Sequence, residues 1–339
     1  MTAAALRWIR VLGGLVIAVF CLWLALKHVQ FGALSSAVRN LDWTWLIAAC
    51  AALTAGYIAR IHRWWWMLRL CNPAIQWRAC VWPLLCGFAV NNVVPFRAGD
   101  ALRVVGFQNS LQTPAMAILG SLVVERLLDV TILLAFFLVG MVDLRGTGVN
   151  LIYLRTAVLV ASVGAIIWLV LLLVGRQAEA FLTRLCRGRL LGKWRLGPAV
   201  ERSIQQLFKA LSIVRLPGAA ARLLLISSVV WICEGGVFAA VAASAHFAGR
   251  MFGPWFALAA GSLATMIPSS PGYVGTFDFF TSSGFSAYGM ARTDAVAAAL
   301  IVHAVLWLPL TGIGLGYLAL ASVRSRRNEL VARPIRPEE

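Results

Sequence analysis

Charge is scarce in this chain of 339 residues. Asp, Glu, Lys and Arg make up 13% of it, against about 25% in a soluble domain. That deficit excludes a water-soluble enzyme and a disordered chain. Cysteine is scarce as well: Cys21, Cys50, Cys71, Cys80, Cys86, Cys186 and Cys233 form no CxxC pair, their number is odd, and most lie in apolar runs. Neither a disulfide framework nor a zinc site fits, and small buried hydrophobes do. The 4 histidines are scattered, so no metal and no cofactor is expected. The period-two alternation of a membrane β-barrel is missing too. Lysine is confined to Lys27, Lys193 and Lys209, and every other basic residue is arginine.

What the chain does hold is apolar: 61% of its residues, with a mean hydropathy of +0.83. These residues come in runs as long as a bilayer is thick. A spanning helix needs ~17–25 mostly apolar residues. Runs at about 11–26, 43–59, 115–142, 156–175, 223–247 and 295–322 meet that length. Two more, about 80–108 and 255–292, are interrupted by Pro, Gly and charge. The start of the chain, with Arg7 and Arg10 before an apolar run, has the outline of a signal peptide. Lys27-His28-Val29-Gln30 stands where a small-residue cleavage site would be, so the run is read as a retained first helix.

The net charge of +17 would suggest nucleic acid in a soluble protein. Here the basic residues cluster between apolar runs, as in cytoplasmic loops facing anionic lipid, and nucleic acid is not expected as a partner. Residues 60–78 carry Arg60, Arg63, Arg69 and Arg78 with no acid; 176–222 is strongly basic; the tail carries Arg324, Arg326, Arg327, Arg333 and Arg336. Segments 27–42, 143–155 and 248–254 are nearly uncharged or balanced. If the basic group is cytoplasmic, 60–78 is inside, 143–155 outside, and an odd number of crossings separates them. Span 115–142 supplies one, so 80–108 enters and leaves from the cytoplasmic side. The same reasoning sends 255–292 in and out from the other side. The expected fold is an all-α polytopic membrane protein with six full spans, two re-entrant helical hairpins and both termini cytoplasmic. It divides into a membrane domain, 1–322, with a basic loop at 176–222, and a basic tail, 323–339. Span 43–59, hairpin 80–108 and span 115–142 would form one unit; 223–247, 255–292 and 295–322 an inverted second one. Pro95-x-x-x-Gly99 and Pro271-x-x-x-Gly275 fall at comparable places. Val200, Ile204, Leu207, Phe208, Leu211 and Val214 share a face of a helix over 198–215, which would lie on the membrane surface or pack on its neighbours.

Charges within apolar runs are costly and each needs a reason. In Asn91-Asn92-Val93-Val94-Pro95-Phe96-Arg97-Ala98-Gly99-Asp100-Ala101-Leu102-Arg103, Pro95 and Gly99 break a helix. Arg97 and Arg103 offer forks suited to phosphate, and Asp100 can hold one of them. The alternative is a cytoplasmic turn whose arginines merely touch lipid phosphates. In Glu125-Arg126-Leu127-Leu128-Asp129, Glu125 and Asp129 share a face and Arg126 can pair with Asp129. That cluster serves either as a relay that neutralises Arg97 or Arg103, or as an ion-pair lock between helices. The segment from Ile267 to Asp278 holds two prolines and two glycines and cannot be one helix. Ser269, Ser270 and Thr276 supply hydroxyls, Gly272 and Gly275 the turn, and a helix starts near Thr276. Its N-terminus can receive an anion, or Asp278 can cap it. No histidine lies near Ser269 or Ser270 in sequence to make either a nucleophile. Arg60-Ile61-His62-Arg63-Trp64-Trp65-Trp66 reads as an interfacial anchor. Glu234 and His303 lie mid-span, as a relay or as hydrogen-bonded structure.

Together these segments resemble the flippase-like membrane domain family, also called the lysylphosphatidylglycerol synthase transmembrane region. Its hallmarks are an N-x-x-x-P-x-R-x-G-[DE]-x-x-R segment, here Asn91 to Arg103; an E-R-x-x-D segment, here Glu125 to Asp129; and a P-x-S-P-G-x-x-G-x-x-[DE] segment, here Pro268 to Asp278. The resemblance covers roughly residues 10–322. It implies a bacterial inner-membrane protein that moves or handles lipids. In bifunctional relatives this domain flips an aminoacylated phospholipid made by a C-terminal soluble acyltransferase domain. Here the chain stops shortly after the last span, so the expectation is a flippase-like domain without aminoacyl transfer, and not an enzyme. The expected function is a lipid translocase or lipid-handling transporter that binds an anionic or phosphate-bearing headgroup. Asn91, Asn92, Arg97, Asp100, Arg103, Glu125, Arg126, Asp129, Ser269, Ser270, Gly272, Gly275 and Asp278 would form the site. Its partners would be membrane lipids, with a second copy or a biosynthetic enzyme as further partners. The alternatives are a membrane enzyme acting on a lipid-linked phosphate or sugar, and a scaffold of a lipid, glycolipid or hopanoid biosynthesis complex.

Overall fold

A computed structural model describes residues 16, 19–27, 32, 35, 36, 39, 41–94, 97–144, 197–212, 217–247, 249–266 and 270–332. Among them the chain is helical throughout, without strands. The long helices are α1 (Trp43–Arg69), α3 (Ala115–Leu144), α5 (Pro217–Ser244) and α8 (Arg292–Ala332). The shorter ones are α2 (Val81–Val93), α4 (Gly197–Leu211), α6 (Gly253–Ala264) and α7 (Thr276–Ala287).

Four described helices are long and apolar enough to cross a membrane: Trp43–Arg69, Ala115–Leu144, Gly218–Ser244 and Arg292–Val323. They correspond to the expected spans 43–59, 115–142, 223–247 and 295–322, the third ending at Ser244. Span 156–175 lies outside the described residues, as do 11–15, 17 and 18 of the expected span 11–26, most of the loop at 176–222 and the end of the tail. α1 runs on past residue 59 because Arg60 and Arg63 find buried acidic partners rather than ending the helix. Asp42 caps its start: Thr44 donates its amide to Asp42 Oδ1 at 2.9 Å.

Lipid-facing surfaces are apolar. On α1, Trp43, Ile47 and Ile58 are exposed along one helical stripe; on α5, Leu225, Val229 and Ile232 form another. Water would not tolerate such stripes, and hydrocarbon does. Buried faces instead use small residues to bring backbones together: Gly56 of α1 meets Cys233 and Val230 of α5, and Gly236 of α5 meets Ala52. One core gathers Phe238, Phe285 and Val302; another gathers Trp64, Met67, Leu84 and Leu128. Helix α4 starts one residue before Pro198 and packs on α3, where Leu207 and Ala210 close on Gly120.

The remaining short helices fill the middle. α2, α6 and α7 have 13, 12 and 12 residues, hence lengths of about 18–20 Å at ~1.5 Å per residue. None reaches across a hydrocarbon layer of ~30 Å. After α2 the chain returns through a broken arm: Ala98–Ala101 is helical, Leu102–Gly106 is π-helical and Gln108–Leu111 is helical again. The arms lie so close that a Cβ on Gly99 would stand 1.8 Å from the Gly87 carbonyl oxygen. α6 and α7 pair likewise, through Gly261 against Thr281 and Gly284 against Ala257. The turns of the two pairs face each other: Gly272 sits against Asn92 and Trp307, and Trp307 Nε1 donates to the Asn92 carbonyl at 3.3 Å.

Candidate functional site

Asp129 stands ~21 Å from the first residue of α3 and ~22 Å from the last, by helical rise, and so lies midway along a spanning helix. Glu125 and Asp129, one turn apart, point to the same buried face. Arg63 of α1 enters between them. Its Nη1 donates to Asp129 Oδ1 at 2.7 Å and to Ser227 Oγ at 2.9 Å, and its Nη2 lies 3.6 Å from Glu125 Oε1. Trp231 Nε1 donates to Asp129 Oδ1 at 3.0 Å. One turn earlier on α1, Arg60 pairs with Glu234 of α5 and lies over the Trp231 ring, 4.7 Å from its centroid. This ladder knits α1, α3 and α5 together at the depth where an unpaired charge is most costly.

The first pair of arms adds its own charges. Arg103, in the π-helical turn, is 1% exposed. It donates to Glu125 Oε2 at 3.0 Å and lies over the Trp64 ring at 4.2 Å. Such turns recur at functional sites because they redirect a side chain. Asn91 organises the turn: its Oδ1 accepts from the amides of Gly99 (2.8 Å) and Asp100 (3.2 Å), and its Nδ2 donates to Asp100 Oδ1 at 3.0 Å. Asp100 takes Arg126 Nη2 at 3.3 Å. Arg97 precedes the arm at φ 53° and ψ 41°, the left-handed region that a non-glycine residue adopts only under local constraint. Among the described residues no acid pairs with it.

The second pair contributes a carboxylate with a defined role. Asp278 is 1% exposed. Its Oδ2 accepts the Gly275 amide at 2.9 Å, so it caps α7, as the capping alternative holds. Its Oδ1 lies 2.7 Å from His303 Nδ1 of α8, and His303 Nε2 lies 2.9 Å from the Gly272 carbonyl oxygen. Ser270 is occupied within its own turn, donating to the Val274 carbonyl at 2.9 Å. Ser269, Pro268 and Pro95 lie outside the described residues.

A cavity of about 180 Å³ opens where the two turns meet. A single water needs only ~10–15 Å³ of such space. Asn91, Asn92, Arg97, Arg126, Asp129 and Gly272 of the expected site line it. Arg103 and Glu125 are sealed in the ion-pair network behind it, and Asp278 reaches it through His303. The walls also carry Tyr57, Arg60, Trp231, Glu234, His303 and Trp307.

Several expected pairings are corrected. Arg126 turns away from Asp129 to Asp100, and Asp100 holds neither Arg97 nor Arg103. Glu125 takes Arg103, one of the two arginines the cluster was expected to neutralise. Glu234 and His303 have separate partners rather than each other. The anchor reading of Arg60-Ile61-His62-Arg63-Trp64 fails at its centre: Arg60, Arg63 and Trp64 are 5%, 0% and 0% exposed. Arg63 sits between Glu125 and Asp129, and Arg60, one turn away, meets Glu234 of a different helix, so no spacing within one segment reveals the pairing.

No curated protein matches the chain. The model of the lysylphosphatidylglycerol synthase transmembrane region matches residues 11–314. With spanning helices that converge on intramembrane charges, and with that match over most of its length, the chain is an integral membrane protein that belongs to the family of the lysylphosphatidylglycerol synthase transmembrane region.

Proposed function

We propose that this protein translocates or handles a membrane lipid by binding its anionic, phosphate-bearing headgroup in the central cavity, without covalent chemistry. The family supports a lipid-related role in a membrane. One observation carries the finer reading: Arg97 faces a cavity midway between the ends of the spanning helices and has no acidic partner among the described residues, while Arg60, Arg63, Arg103 and Arg126 each have one. A phosphodiester would complete its charge and match its fork. Asn91 and Asn92 add amide groups beside it. In this reading α2 with its return arm, and α6 with α7, are re-entrant hairpins entering from opposite leaflets. They belong to a six-span bundle of a bacterial inner membrane with both termini cytoplasmic. The headgroup passes between the hairpin turns while the acyl chains stay in lipid.

The test is reconstitution into vesicles with fluorescent phosphatidylglycerol. Wild type is expected to move the label between leaflets. A charge-assisted hydrogen bond contributes ~1.5–3 kcal/mol, so Arg97→Ala should slow movement by roughly tenfold or more. Equal rates for the two proteins refute the proposal.

A further inference from the structure

We propose that Asp278 and His303 form a proton site whose loading is linked to anion binding at Arg97, so that a phosphodiester monoanion and one proton enter the cavity as a neutral pair. This rests on the reading of Arg97 given above and adds to it what supplies the compensating charge.

The Gly272 carbonyl can only accept, so the His303 Nε2 facing it at 2.9 Å carries a hydrogen. The 2.7 Å contact between His303 Nδ1 and Asp278 Oδ1 also needs a hydrogen between its two atoms; otherwise two lone pairs would face each other at hydrogen-bond distance. Asp278 cannot rotate out of that contact, because its Oδ2 is fixed by the Gly275 amide at 2.9 Å. In this arrangement the pair therefore holds one more proton than a carboxylate beside a neutral imidazole.

Charge counting gives that proton a consequence. Arg60 is matched by Glu234, Arg63 by Asp129, Arg103 by Glu125 and Arg126 by Asp100. Among the described residues around the cavity, Arg97 and Asp278 are left. If the extra proton is absent, their charges cancel and an incoming anion leaves the site with net negative charge inside a membrane. If the proton is present, the surplus is one positive charge at Arg97, which a monoanion neutralises. Burial of uncompensated charge is unfavourable, so proton and anion favour each other. By reciprocity each raises the affinity for the other by the same factor.

Other titratable and charged groups face the same cavity as this pair. Arg60 and Tyr57 of α1, Glu234 of α5, and Arg126 and Asp129 of α3 line the same cavity, as does Tyr273 from the turn before α7. Each of the acids and of these arginines is held in an ion pair within the ladder or by Asp100.

The experiment uses the full chain in lipid nanodiscs and dihexanoyl phosphatidylglycerol, a phosphodiester whose charge is constant between about pH 5 and 8. Calorimetry at both ends of that range, in two buffers of different ionisation enthalpy, reads affinity and protons taken up. Wild type should bind at least about fivefold tighter at the acid end, the low end of typical coupling, and take up protons on binding at the alkaline end. Asp278→Asn removes the competing negative charge and should bind tightly with no pH dependence. Equal wild-type affinity at both ends, with binding still lost in Arg97→Ala, overturns the proton linkage alone. Binding that survives Arg97→Ala overturns the headgroup reading beneath it.

Discussion

Arg63→Leu isolates what the intramembrane ladder contributes. Arg63 is fully buried and holds Asp129 at 2.7 Å, Ser227 at 2.9 Å and Glu125 at 3.6 Å. Its removal leaves Glu125 with Arg103, but Asp129 keeps only the neutral Trp231 N–H at 3.0 Å. Breaking a buried ion pair from one side costs ~3–5 kcal/mol. Two effects oppose this. Polar contacts in membranes average only about 0.6 kcal/mol, because the unfolded chain finds partners in the bilayer as well. The stranded carboxylate can also take up a proton. The desolvated charge still dominates, since Asp129 is 3% exposed and midway along its helix. A loss of about 2–4 kcal/mol is expected. Arg63→Leu combined with Asp129→Leu removes both charges and should recover most of it, because apolar replacement of a buried pair is often neutral. Thermal unfolding in detergent, followed by monodisperse peak height, reads both proteins and the Asp129→Leu single variant as a cycle. Unfolding of Arg63→Leu together with wild type, or a double variant no more stable than Arg63→Leu, refutes a stabilising role for this ion pair.

Other perturbations test other parts of the fold. Gly99→Ala would place a methyl 1.8 Å from the Gly87 carbonyl oxygen, so the cost should exceed the ~1–3 kcal/mol of ordinary overpacking. Gly312→Ala, with nothing within 4 Å, should elute from gel filtration like wild type. Arg103→Gln should destabilise by about 3 kcal/mol and Arg126→Gln by under about 1 kcal/mol. Their side chains are 1% and 32% exposed, and reversal of that order in thermal unfolding would contradict the burial argument. At the edge of α1, hydrogen bonds from the Thr44 hydroxyl and amide hold the Asp42 carboxyl below its usual range. A depressed carboxyl contributes above its unfolded value, near 4, and loses that contribution as pH falls. Asp42→Ala should therefore weaken the protein at neutral pH, and melting curves of the two should converge in acid.

The recognition of a helical membrane protein rested on run length and charge alone. A bilayer imposes a fixed thickness, and a spanning helix must match it residue by residue, so α1, α3, α5 and α8 are visible in the one-dimensional pattern. The breaks were visible for a similar reason. Proline and glycine between 91 and 103 and between 267 and 278 act on the local backbone. The capping of α7 by Asp278 is also local, a contact three residues back in the chain.

Pairing is not local. Whether Arg126 meets Asp129, one turn away, or Asp100, 26 residues away, depends on where the return arm lies after Gly99 has closed on Gly87. Arg60 and Arg63 follow an apolar run, where sequence suggests a membrane edge. Only the approach of α3 and α5 turns them into buried partners of Glu234, Asp129 and Glu125. His303 gains its meaning from the turn at Gly272, which brings a carbonyl to one ring nitrogen as Asp278 meets the other. Which segments leave water is written in the order of residues, because that free energy adds up along the chain. Only the fold settled which charges are matched and that Arg97 has no acidic partner among the described residues, because in hydrocarbon a charge is governed by what stands within a few ångströms of it, whatever its distance in sequence.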